Sequence, residues 1–384
     1  MQTNPHAIPD PDAVTPEESQ ANNIGVINPY ALAELKLGKR MNWTELADSH
    51  EVMASTLETR YEDLFDPGNN MTLYAGMRFD DKTGDLESFE GDNRVTDDSP
   101  VVRETVNATQ WLDVGSFYSD CAEFSDPIQG AVGDCYLIAA LSAVAWARTY
   151  VIAHRTWRDQ SQREIDMVLF NQNNDWIKIA VSEKLPLRTP GNSFIYARSQ
   201  DRGELWPAIY EKAYAKWKTN DNSDTPNILA IAGGDMVRAT DELMGGTRYY
   251  YATRSLTADS LWTKVRQNSI SRKTFNPMTA WTYSSGQSSP DHVNYNSANI
   301  VANHAYTVLG WDYRNAQKYI ILRNPWGQTE SRVGVDNGHW AAWDAPYYGG
   351  PGKWISVNLP LNDGVFALRM DEFKKYFAGL GLVK

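Results

Sequence analysis

Apolar positions change period several times along the chain, and each change marks an element. Residues 135–150 (CYLIAALSAVAWARTY) are apolar on nearly every side for about four helical turns, the pattern of a helix buried on most faces. Residues 204–217 (ELWPAIYEKAYAKW) put Trp206, Ile209, Tyr210, Ala213 and Trp217 on one face at helical spacing and predict an amphipathic helix, with Pro207 in the first turn where its missing N–H does least harm. The runs Met167-Val168-Leu169-Phe170 and Trp176-Ile177-Lys178-Ile179-Ala180-Val181, joined by Asn171-Gln172-Asn173-Asn174, predict a hairpin. Residues 270–303, rich in Ser, Asn, Thr and Pro, read as irregular connections. Two strand-like runs follow, from His304 to Gly310 and from Lys318 to Asn324. Paired as an antiparallel hairpin centred on Arg314, they set His304 opposite Asn324, Tyr306 opposite Leu322 and Val308 opposite Ile320.

Before residue 100 the pattern is weaker. Residues 1–24 are polar and proline-rich and predict a disordered lead, while 28–64 has the composition of one or two helices. Residues 80–98 hold eight acidic residues against two basic ones and read as a solvated loop.

Composition then narrows the partners. Hydrophobic residues make up 42% and charged residues 22%, which suits a folded globular protein. With 36 Lys and Arg against 48 Asp and Glu, the net charge of −12 disfavours nucleic acid and anionic lipid. No run of eighteen apolar residues suggests a membrane span, and Pro5, Pro9, Pro11 and Pro16 stand where an export signal would be apolar, so a cytoplasmic location is expected. Cys121 and Cys135, the two cysteines, form no disulfide framework and leave a thiol free for chemistry; a bridge between them is the competing structural reading.

That thiol has suitable company. Cys135 begins the buried helix, where unpaired N–H groups and the helix dipole favour thiolate. Gln129, six residues upstream, offers an amide that could join the Cys135 N–H in holding an oxyanion. A thiolate also needs a group that holds its proton and returns it. Of six histidines, His304 starts a strand predicted to lie beside that of Asn324, whose amide could orient the imidazole. The chain has no H-E-x-x-H zinc motif, phosphate loop or G-x-S-x-G elbow.

Q-G-A-V-G-D-C-Y at 129–136, N-H-A-Y at 303–306 and R-N-P-W-G at 323–327 resemble, in this order, the cysteine, histidine and asparagine blocks of the calpains, within the wider papain-like proteases. The resemblance extends over about residues 115–384. It implies an α+β, papain-like protease core with the active-site cleft between a helical half, 101–235 with Cys135, and a β-rich half, 236–384 with His304 and Asn324. Residues 1–100 would be an extension, partly disordered with short helices. By the same resemblance, the backbone at Gly233 and Gly234 would pair with an extended protein or peptide substrate, and Trp326 would shield the contact of His304 with Asn324. Tyr136 and Asn303 stand where the family usually has Trp and Gly, and would alter the cleft. Asp126 with Glu204, and Glu330 with Asp363, match the family's calcium positions. Val365, however, replaces a further acid, which implies calcium at the first pair at most, no required cofactor and no strict calcium requirement. Two functions remain open: a cysteine endopeptidase working through an acyl-enzyme, and a catalytically silent calpain-like domain that binds peptides or proteins.

Overall fold

The computed structural model describes residues 77–80, 85–88, 109–118, 122–154, 156–159, 164–188, 192–201, 203–344 and 353–384. The lead at 1–24 and the helices expected over 28–64 lie outside them. Part of the stretch read as an acidic loop is strand instead, since Met77–Asp80 and Asp85–Ser88 pair antiparallel. Among the described residues no helix is long and apolar enough to cross a membrane.

Helix α1 (Cys135–Ala147) is buried at every position from Tyr136 to Trp146, as its unbroken apolar run requires. The predicted first hairpin is present as Glu164–Phe170 against Trp176–Ser182, with Thr156–Asp159 added at one edge. Helix α2 (Trp206–Lys218) is less amphipathic than its sequence suggested: every residue from Trp206 to Ala215 is buried, Glu211 and Lys212 included. Strand Trp176–Ser182 and the turn Ile228–Ile231 cover its second side. The Lys212 ammonium is satisfied there by the carbonyls of Ser182 and Lys184, each at 2.9 Å. Helix α3 (Met236–Met244), capped by the Asp235 carboxylate on the N–H groups of Val237 and Arg238, packs against α1 and against Glu164–Phe170.

The rest of the chain builds an antiparallel sheet around β1 (Arg248–Ala252), β2 (Met278–Thr282), β3 (Ala305–Arg314), β4 (Gln317–Arg323), β5 (Val365–Arg369) and β6 (Phe377–Val383). Their spatial order is β5, β4, β3, β2, β6, β1, and Val335–Asp336 extends the sheet beyond β5. The protein is thus mixed helix and sheet, an α+β architecture. Strand β2 falls inside the stretch read as irregular. Its five residues are buried on both faces, so they carry no polar alternation, and the Ser- and Asn-rich flanks mask them.

The hairpin of β3 and β4 departs from the expected register. Arg314 pairs with Gln317, so the turn is Asn315-Ala316, both at positive φ (50° and 58°), as tight hairpins favour. Thr307 therefore faces Arg323 and Val308 faces Leu322, and a bulge follows between Val308 and Gly310. The Leu309 carbonyl at the bulge is taken by the Trp146 indole (2.6 Å) and the Thr274 hydroxyl (3.2 Å).

Helix α1 rests directly on this hairpin. The Thr307 hydroxyl donates to Ala139 O at 2.8 Å. Arg323, almost wholly buried, donates to Ser142 Oγ at 2.9 Å and to Ser125 O at 2.6 Å. Burial lowers its guanidinium to about 10, against the pull of the Asp126 and Asp363 charges.

Candidate active site

The loop before α1 is fixed on three sides. Ile128 and Arg198 exchange both backbone bonds, at 2.9 and 3.0 Å, and Ala131 N–H donates to Ile195 O at 2.8 Å. Gln129 N–H reaches Pro325 O of the β half at 2.9 Å, and Gly233 N–H reaches Gly133 O at 2.8 Å. Gly130 is required by close approach, because a Cβ there would lie 2.2 Å from Tyr196 O. This loop delivers Cys135, a free and half-buried thiol, to the start of α1.

His304 is held by its backbone. Its N–H donates to Thr282 Oγ1 and its carbonyl accepts from Thr282 N–H, both at 3.0 Å. The preceding Asn303 has φ 50°, in the left-handed region that Asn tolerates better than other non-glycine residues, which accounts physically for Asn in a place where Gly is the usual alternative. The His304 ring stands 5.1 Å from that of Tyr306 and 4.8 Å from that of Trp326. Its Nε2 meets Asn324 Oδ1 at 2.9 Å.

The Asn324 amide can be oriented without ambiguity. Trp326 N–H, a donor only, points at Oδ1 (3.1 Å), and Nδ2 points at Thr329 O, an acceptor only (3.0 Å). Because Oδ1 can only accept, the His304 proton sits on Nε2 and Nδ1 is left as the basic nitrogen. The Ala305 N–H, next in chain to His304, hydrogen-bonds the Cys135 sulfur.

The electrostatics run against the expectation of a resting thiolate. Burial pushes the Cys135 thiol up to about 12, with the Ala305 N–H opposing and the neighbouring Asp134 charge adding to the rise. Burial likewise lowers His304 to about 4, against its bond to Asn324. Desolvation opposes the helix dipole and disfavours charge on the thiol and on the imidazole, each taken alone.

Gln129 is buried, and its Nε2 donates to Val132 O at 2.7 Å. That leaves one amide hydrogen for another acceptor, while Oε1 has no partner among the described residues. Gly234 lies against the Tyr136 ring, and the Tyr136 hydroxyl donates to Ile231 O at 3.0 Å, so Tyr136 braces the turn that carries Gly233 and Gly234.

The acidic positions fall into two separate places. Asp126 Oδ2 accepts from Glu123 N–H (2.6 Å) and the Trp206 indole (2.9 Å), and Glu204 Oε2 accepts from Ser199 Oγ (2.9 Å). Burial, and then the Glu204 charge, raise Asp126. Glu330 Oε1 accepts from the N–H groups of Asp363 (3.0 Å) and Gly364 (3.1 Å), and burial raises it to about 7. Among the described residues no group of three or more acidic, histidine or cysteine side chains could hold a metal ion. Neither Asp126 with Glu204 and the nearby Glu123, nor Glu330 with Asp363, forms by itself the shell of six to eight oxygens that calcium takes.

Two side chains at the thiol escaped the sequence reading. Asp134, immediately before Cys135, and Glu211, on α2, are both buried in contact with one another. Position next to Cys135, and an acid set among the apolar residues of α2, were the signals that could have found them.

The family model for calpain family cysteine proteases matches residues 102–384. The chain belongs to the calpain family. A thiol protease of Porphyromonas gingivalis is 33% identical over 294 residues, which cover 70% of this chain and 56% of that protein. The mouse calpain-2 catalytic subunit is 27% identical over 357 residues, 90% of this chain and 48% of its own length. Mouse calpain-9 is 27% identical over 269 residues, 66% of this chain and 35% of its own. This calpain-family chain therefore spans from about a third to just over half of the relatives it matches.

Proposed function

We propose that the chain is a papain-like cysteine endopeptidase in which Cys135 is the nucleophile, His304 the general base and acid, and Asn324 the group that orients the imidazole. The oriented Asn324 amide carries this reading, because it fixes the His304 tautomer that leaves Nδ1 free to take a proton. Cys135 Sγ attacks the substrate carbonyl carbon as its proton passes to His304 Nδ1. The developing oxyanion is met by the Cys135 N–H and the remaining Gln129 amide hydrogen. The imidazolium returns the proton to the leaving amine, a thioester remains on Sγ, and water, deprotonated by Nδ1, hydrolyses it. No step runs through calcium, and activity without a strict calcium requirement is part of the proposal.

The alternative, a peptide-binding domain without turnover, has in its favour the burial that disfavours charge on both the thiol and the imidazole. A thiol-reactive peptide probe with peptide mapping separates the two. Labelling of Cys135 and peptide hydrolysis lost in Cys135→Ala but kept in Cys121→Ala are expected. Equal hydrolysis by wild type and Cys135→Ala would overturn the proposal.

A further inference from the structure

Asp134 is wholly buried, and among the described residues neither of its carboxylate oxygens receives a hydrogen bond from an N–H or O–H group of another residue. Glu211, nearly as buried, accepts from Ala197 N–H with both oxygens at 3.1 Å and lies within hydrogen-bonding reach of Asp134. Two carboxylates are acceptors only, so their contact in a dry interior requires a proton between them. Among the described residues, the other titratable groups acting near the pair are Cys135 and Tyr136 beside Asp134 and Tyr196 beside Glu211, none of them a cation.

We propose that Asp134 and Glu211 hold one proton in common and act as a positioning pair for the reaction at Cys135. Their bond ties the first residue before the thiol to α2. Through Ala197 it also ties α2 to the segment that pairs with the Gln129 loop at Ile128 and Ala131. The thiol and the two expected oxyanion donors are thereby set in one frame. Burial raises both carboxyls, which keeps the proton in place through neutral pH. Its loss at alkaline pH would leave two buried charges in contact and part them.

The role in positioning rests on the proposed chemistry at Cys135, whereas the shared proton does not. Infrared difference spectra of the full chain near neutral pH read the proton directly. A protonated-carboxyl band present in wild type and absent from both Glu211→Gln and Asp134→Asn is expected. Hydrolysis, or iodoacetamide alkylation of Cys135 followed by peptide mapping, reads the positioning. Glu211→Ala should lower kcat by between about ten- and a hundredfold with KM little changed, and Glu211→Gln, which can donate to Asp134 and accept from Ala197, should recover it to within about threefold. The alkaline limb of the rate profile should move up by about one pH unit or more in Glu211→Gln, which has no shared proton to lose. If Glu211→Ala fails to fold, the band and the alkaline limb of Glu211→Gln still decide. Absence of the band in wild type, or superimposable profiles of wild type and Glu211→Gln, would overturn the proposal. A wild type with the band but no hydrolysis would instead sink the peptidase reading.

Discussion

Asn324 Oδ1 lies 2.9 Å from His304 Nε2 although the two residues are not opposite one another in the ladder that joins their strands. The pairing stops at Thr307 and Arg323, and the side chains close the remaining gap. An amide that only orients the ring should matter less than the ring itself. Asn324→Ala is expected to slow acylation by less than His304→Ala, with single-turnover rates as the measurement. A larger loss at Asn324 would contradict these roles.

Burial that holds His304 neutral makes stability depend on pH. Its folded value of about 4 lies below the ordinary 6.5, so the contribution is fully present above 6.5 and is lost as pH falls through 4. The loss should amount to about 3 kcal/mol. Denaturant unfolding of wild type and His304→Gln across this window isolates it, since other acids titrate in both. Parallel curves for the two proteins would count against a neutral buried imidazole.

A Cβ at Gly234 would lie 2.6 Å from the Tyr136 ring, which is itself fixed through its hydroxyl on Ile231 O. Gly234→Ala should therefore shift the turn, destabilise the protein by about 1–3 kcal/mol and raise KM for peptides. Thermal unfolding and steady-state kinetics test this, and an unchanged KM would remove Gly234 from the substrate side.

Chelation addresses the acidic pairs. With no group of three or more metal-holding side chains among the described residues and Val365 in a strand core, hydrolysis should survive removal of calcium. Complete loss on chelation, restored by added calcium, would show that backbone oxygens complete a shell that side chains do not.

The helix at Cys135 and the strand beginning after His304 were legible because an unbroken apolar run and a β-rich run have few other ways to fold. Register was less legible, since the turn at Asn315-Ala316 and the bulge at Leu309 are set by backbone conformation and by contacts from Trp146 and Thr274, far off in sequence. Strand β2 was hidden by its flanks. The effect of burial on Cys135 and His304 was not legible for a different reason: the helix dipole is local and visible, while desolvation depends on everything packed around the pair.

Arg323 stands one residue before Asn324, with its two amino groups committed to Ser142 and Ser125 on the thiol's side of the molecule. Parting the helices from the sheet at this seam would strand a charged guanidinium without either partner before water could reach it. The contact between the Cys135 helix and the sheet beneath it is consequently held by a cation of the chain itself, and opening there should be steeply resisted while side-chain movements at the rim stay cheap.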